Sequence, residues 1–259
     1  MSARGLVDSH CHLDAAEFDA DRDSVVEQAR KAGVAKIVVP AIGRANFDTV
    51  LALAERYSGC VPALGIHPLF AEQALPEDLD VLRGKLQSAR PVAVGEIGLD
   101  FFVEGLDRER QEYYFVQQLK LAQEFDLPVI LHVRRSVDQI LKHLRRIKVR
   151  GGIAHAFNGS RQQADIFIKL GFKLGFGGAM TWPRALHLRE LATTLPLESI
   201  VLETDAPDIP PAWIGRNGRN SPAQLPEIAR VLAQLRKIAV QEVIEKTTQN
   251  AHEVLPHMG

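Results

Sequence analysis

Cysteine is scarce: Cys11 and Cys60 are the only two in 259 residues. Two cannot build a disulfide framework, and their rarity suits a reducing compartment. Long apolar runs are missing as well. None approaches the roughly 18 residues of a membrane span, and Asp8 and His10 interrupt the opening MSARGLVDSHC before a signal-peptide core can form. A cytoplasmic location with no membrane segment is the expectation. Net charge is nearly absent, since 31 Lys and Arg face 32 Asp and Glu and leave −1. Proteins that wrap a long duplex by neutralising phosphates are far more basic. That argues against broad electrostatic DNA binding but leaves open a local pocket made positive by metal ions. No G-x-G-x-x-G follows the first apolar run, where a dinucleotide site would need it.

What is present is an alternation. The runs LVDSHCH (6–12), AKIVVPA (35–41), CVPALGIHP (60–68), PVAVGEIGLD (91–100), PVILHVR (128–134), GGIAHAF (151–157), KLGFGGAMT (173–181) and SIVLETDAP (199–207) read as strands. Amphipathic stretches such as RDSVVEQARKAGV, NFDTVLALAERY, RERQEYYFVQQLKLAQEFD and SRQQADIFIKLG separate them and read as helices. Gly33 and Gly171 sit where a left-handed residue closes a helix. Strand ends recur about every 28 residues, the length of one βα unit. Eight such units predict a (β/α)₈ TIM barrel, with 222–254 giving the eighth barrel helix and one more. An open doubly wound sheet is the alternative. No linker or low-complexity tract divides the chain, so one domain over 1–259 is expected.

The acids and histidines fall at strand ends. His10 and His12 end the first, His67 the third, Glu96 the fourth, His132 the fifth, His155 the sixth, and Glu203 with Asp205 the eighth. A barrel gathers those ends on its C-terminal rim, where active sites form. Five of the nine histidines would then share one bowl with the carboxylates. Side chains alternate across a strand, so His10 and His12, with Cα atoms about 6.6 Å apart, should point the same way. Cys11 between them should face the helix layer as an inert core residue. Glu96 lies among apolar neighbours, where an ionised carboxylate is costly unless paired or metal-bound. Its two readings are a salt bridge to an arginine such as Arg134, or a bridge between two cations. In the second, one ion is held by His10, His12 and Asp205, the other by His132 and His155, about 3.5–4 Å apart. Glu203 suits either direct chemistry or the orienting of a histidine ligand. Asp205 suits ligation and proton acceptance from an activated water.

The set D-S-H-C-H-L-D, G-I-H-P, G-E-I-G-L-D, L-H-x-R, H-A-F-N-G-S and E-T-D-A-P resembles the TatD-type metal-dependent hydrolases of the amidohydrolase superfamily. The resemblance spans nearly the whole chain. It implies a barrel with a centre of two divalent ions (Mg²⁺, Mn²⁺ or Zn²⁺) and deoxyribonuclease activity, including 3′-to-5′ removal of nucleotides. It places metal ligands at His10, His12, Glu96, His132, His155 and Asp205, and polar groups near substrate at His67 and Glu203. Two departures bear on the substrate: Asp208 follows the D-A-P motif where an aromatic is usual, and Ser221 stands where a charge would be expected.

Hydrolysis of a phosphodiester in a DNA strand end or short single strand is the expected reaction, with Asp205, Glu203 and His67 as its catalytic residues. Arg134, Arg216 and Arg219 are candidates for flanking phosphates, and Phe101 and Trp213 for a terminal base. The same activated water serves an amide or ester, so removal of an acyl group from tRNA is the competing reaction. A closed structural metal site is the non-enzymatic alternative, and a rim without cysteine ligands speaks against it.

Overall fold

Short β-branched segments form eight parallel strands in this computed structural model, which describes residues 5–258. They are β1 (Leu6–Asp8), β2 (Val34–Pro40), β3 (Cys60–Leu64), β4 (Ala93–Asp100), β5 (Val129–Arg134), β6 (Gly152–Ala154), β7 (Phe172–Phe176) and β8 (Ile200–Leu202). They pair in sequence order from β1 to β8. The seam between β8 and β1 is laced just beyond the strands, where Ser9 N–H donates to Leu202 O at 3.0 Å and Asp205 N–H to His10 O at 2.9 Å. The (β/α)₈ architecture expected from the alternation is what the chain adopts.

Helices fill the intervals: α1 (Arg22–Lys31), α2 (Phe47–Arg56), α3 (Pro76–Ala89), α4 (Arg108–Glu124), α5 (Val137–Arg146), α6 (Arg161–Lys169), α7 (Leu186–Thr194), α8 (Leu225–Arg236) and α9 (Val240–Val254). Their starts carry local signals. Asp107 accepts from Arg110 N–H to open α4, and Ser160 and Gln163 exchange side-chain and backbone bonds to open α6. Gly33 and Gly171 follow α1 and α6 with φ of 95° and 84°, the left-handed closure expected of them.

Two apolar cores hold the barrel. The outer one packs strand residues such as Leu64, Val94, Leu131 and Leu174 against helix faces that include Val25, Val50, Leu82, Leu119 and Phe167. Cys11 belongs to this layer and is fully buried. The inner core combines Val7, Val38, Val61, Ile130, Ile153 and Val201 with Ala251, Val254 and Leu255 from α9 and the adjoining turn. The additional helix thus plugs the N-terminal end of the cylinder. With one end filled by hydrocarbon, the open end is left for chemistry.

Several strands stop earlier than the sequence suggests. β1 ends at Asp8, β6 at Ala154 and β8 at Leu202. The residues beyond bend inward, and Ala156 and Asp205 do so with φ of 45° and 57°. Val7 already faces the axis, so strict alternation would have turned His10 outward. The bend after Asp8 is what brings both histidines inside.

Candidate metal centre

Every residue of β4 is buried, and Glu96 sits within it at 1% exposure. Its Oε2 faces His10 Nε2 at 3.2 Å and His12 Nε2 at 3.4 Å. Asp205 Oδ1 completes that side, 3.5 Å from His10 Nε2 and 3.8 Å from His12 Nε2. Oε1 faces the other way, 3.0 Å from both His132 Nδ1 and His155 Nε2 and 3.6 Å from His67 Nε2. The salt bridge to Arg134 does not form; that guanidinium lies nearest Asp100, at 3.8 Å. Sequence reasoning grouped His67 with the substrate. The fold places it in a trio with Glu96 and His132, beside the trios His10–His12–Glu96 and His10–His155–Asp205, each with one donor atom per residue within 4.8 Å of the others.

The donors fit divalent cations. Glu96 Oε2 is buried and accepts no hydrogen bond, although two ring nitrogens face it. His10 Nε2 and His12 Nε2 point at each other across 3.3 Å, a space one proton or one cation can occupy. Imidazole and carboxylate without thiolate suit Zn²⁺, Mn²⁺ and related ions. Burial drives His10 down to about 3, with the neighbouring His155 adding to it, so this ring is a neutral donor. Burial opposes protonation of His12 too, but Glu96 and Asp205 outweigh it and lift the ring to about 9. Burial raises Asp205 to about 6 against the pull of His155 and His12. Burial would likewise raise Glu96, yet the surrounding His10, His155 and His67 hold it well below the usual carboxylate range. These shifts describe one charge-dense cage.

Further contacts aim these side chains, and sequence reasoning missed most of them. Asp100, four residues after Glu96 on β4, pairs with His132 Nε2 at 2.9 Å and so directs Nδ1 toward Glu96. Gly98 lies between them with φ of 150°, and a Cβ there would overlap the His132 carbonyl oxygen. Asp8 accepts from the backbone N–H groups of His10 and Thr204 and from Thr204 Oγ1 at 2.6 Å, fastening the segment that carries His10 to the one that carries Asp205. Asn220 donates to the carbonyls of Thr204 and Asp208, holding the loop that carries Asp205. From α4, the amides of Gln118 and Gln111 clasp the backbone N–H and C=O of Ile66 and Asp100 respectively. His67 Nδ1 accepts from Leu69 N–H at 3.1 Å, which turns Nε2 toward the centre. Glu203 stands behind His155, its Oε1 accepting from Ala156 N–H at 2.6 Å and lying 3.7 Å from His155 Nδ1. The signal available in sequence was G-E-I-G-L-D itself, which puts Asp100 on the Glu96 side of the strand.

The centre lies at the floor of a cleft of about 1610 Å³, lined by His12, His67, Glu96, His132, His155 and Asp205 among others. Phe101 and Arg134 line it as well. Arg219 is a correction: its guanidinium is bound bidentately by Asp21 and is not among the residues that line the cleft. Arg216 stacks over Trp182 and Trp213 donates to Gln224, and neither lines the cleft.

A barrel with a histidine–carboxylate centre at the strand ends defines a class, the metal-dependent hydrolases built on this fold. Residues 7–256 match the family described as TatD related DNase. The chain is 44% identical over 251 residues to the uncharacterized metal-dependent hydrolase YjjV of Escherichia coli K12, covering 95% of this chain and 96% of that one. The crystal structure of YjjV superposes with a TM-score of 0.94 at 42% identity, covering 99% of both chains. Human deoxyribonuclease TATDN3 is 36% identical over 270 residues, covering 98% of this chain and 96% of the relative. The chain belongs to the TatD family of metal-dependent hydrolases. No helix among the described residues is long and apolar enough to cross a membrane.

Proposed function

We propose that the protein is a deoxyribonuclease that removes nucleotides from the 3′ end of DNA. The observation that carries this reading is the division of labour at Glu96, whose two oxygens each face a separate set of ring nitrogens. His10, His12, Glu96 and Asp205 would hold one divalent ion, and Glu96, His132 and His155, with His67 beside them, the other. Such a pair supplies Lewis-acid polarisation of the phosphoryl group and a lowered pKa for water. The chain's own part is orientation and proton handling. Asp205, whose Oδ1 lies 3.5 Å from His10 Nε2 at the floor of the cleft, would accept the proton of the attacking water. His67 presents Nε2 to the centre beside the substrate. Asp100 and Glu203 keep the rings of His132 and His155 from turning away. Human TATDN3, named a deoxyribonuclease, lends the nucleic-acid substrate its support.

A 5′-labelled single strand incubated with the protein and Mg²⁺, Mn²⁺ or Zn²⁺ tests the reading. Stepwise shortening from the unlabelled end is expected. Persistence of the strand with all three ions refutes it, and release of the acyl group from aminoacyl-tRNA in parallel would transfer the chemistry to an ester.

A further inference from the structure

The cleft is electrically lopsided. Arg134 and Arg135 are the only Lys or Arg residues among those that line it, and both sit where β5 runs into α5. On the diametrically opposite wall, past β1 and β8, stand Asp14, Glu17 and Asp208. Neither arginine is spent on a strong ion pair. Arg134 lies 3.8 Å from the nearest carboxylate oxygen, that of Asp100, which His132 already engages at 2.9 Å. Both guanidiniums rest instead on the half-exposed ring of Phe102, with Cζ 3.8 Å and 4.7 Å from its centroid. Asp100 Oδ1 accepts from Phe102 N–H and fixes the loop carrying that ring.

The first turn of α5 adds to the same wall. Its ten residues begin after Ser136, whose hydroxyl turns away to donate to Leu99 O at 2.6 Å and leaves that turn without a side-chain cap. Ser136, Val137, Asp138 and Gln139 line the cleft there. The one carboxylate of that turn, Asp138, accepts from Gln163 Nε2 at 2.8 Å. An uncapped helix start beside two guanidiniums that have no carboxylate closer than 3.8 Å favours an anion.

We infer that Arg134, Arg135 and the N-terminus of α5 form a subsite for the phosphate flanking the one that is hydrolysed, so that the strand leaves the centre over the β4–β5 rim. The reading rests on the nuclease proposal above. It also sets the path of the strand across the cleft. A strand can continue past the arginines, whereas the acidic wall repels a phosphate on the other side, which leaves room there for a single terminal nucleotide.

Two measurements on the metal-loaded protein test the subsite. The first is the ratio of kcat/KM for trithymidylate over that for dithymidine monophosphate, which carries only the scissile phosphate. The wild type should favour the longer substrate by about tenfold or more, and R134A/R135A should bring the ratio close to one. An unchanged ratio in the variant overturns the proposal. The second is the affinity for a fluorescein-labelled decathymidylate whose terminal linkages are methylphosphonates, followed by anisotropy against salt. R134A/R135A should weaken binding at least about tenfold and flatten the salt dependence by about 0.7 for each phosphate left unneutralised. Equal affinity and slope overturn it. Should the wild type cleave neither thymidylate, the nuclease reading falls, and the subsite is then judged by the binding measurement alone.

Discussion

Glu96 is the residue on which the site turns, because its two oxygens face different sets of ring nitrogens. Replacing it by Ala should abolish activity and strip bound metal while leaving the far-ultraviolet dichroism unchanged, as read by metal analysis of protein purified without chelator. Asp100 acts one step back. Asp100→Asn should weaken the site that includes His132 by about 10- to 100-fold and leave the His10–His12 site within about twofold, resolved by calorimetric metal titration. Loss at both sites equally would show that Asp100 serves only the fold. Asp8 makes a prediction in pH. Burial lifts it from 3.8 to about 8, against the hydrogen bonds from Thr204 and His10. The folded state therefore holds this proton more tightly than the unfolded chain does. In chelated protein its contribution to stability is complete below the ordinary carboxylate pKa and is lost as pH rises through about 8. Urea midpoints in chelator should fall more steeply between pH 5 and 9 in the wild type than in Asp8→Asn; parallel curves would contradict this.

At the level of elements, the sequence disclosed type and order better than extent. β4 and β5 ended where PVAVGEIGLD and PVILHVR end, since their ladder continues to Asp100 and Arg134. β1 and β8 stopped four and five residues short of LVDSHCH and SIVLETDAP, because Asp8 and Thr204 bond to each other and divert the backbone from pairing. Alternation gave the right neighbours for His10 and His12 by the wrong route, as the bend rather than the pleat aims them. Asn220 and the two glutamines of α4 were illegible for a different reason. Their partners are backbone groups 11 to 52 residues away in sequence, and nothing local marks a glutamine destined for burial. The role of α9 was equally hidden, since only the closed barrel creates the hole it fills. Val254→Ala in that helix should cost about 2–4 kcal/mol in urea unfolding with metal content unchanged. A loss below about 0.5 kcal/mol would remove α9 from the core.

For the molecule as a whole, the net charge near zero and the charge-dense bowl belong together. A centre that gathers five histidines and two carboxylates in one cleft obtains its positive field from cations, so no basic surface is required to attract a phosphate. By the same coupling, bound metal is expected to stabilise the folded state. Saturating Zn²⁺ or Mn²⁺ should raise the melting temperature and EDTA should lower it, and the Glu96→Ala variant should respond to neither. The claim beneath all of this is that one glutamate holds two ions, one on each oxygen. Anomalous diffraction from crystals soaked in Mn²⁺ or Zn²⁺ tests it most directly. Two peaks about 3.5–4 Å apart, one beside His10, His12 and Asp205 and one beside His132 and His155, are predicted; a single peak, or peaks remote from Glu96, would contradict it.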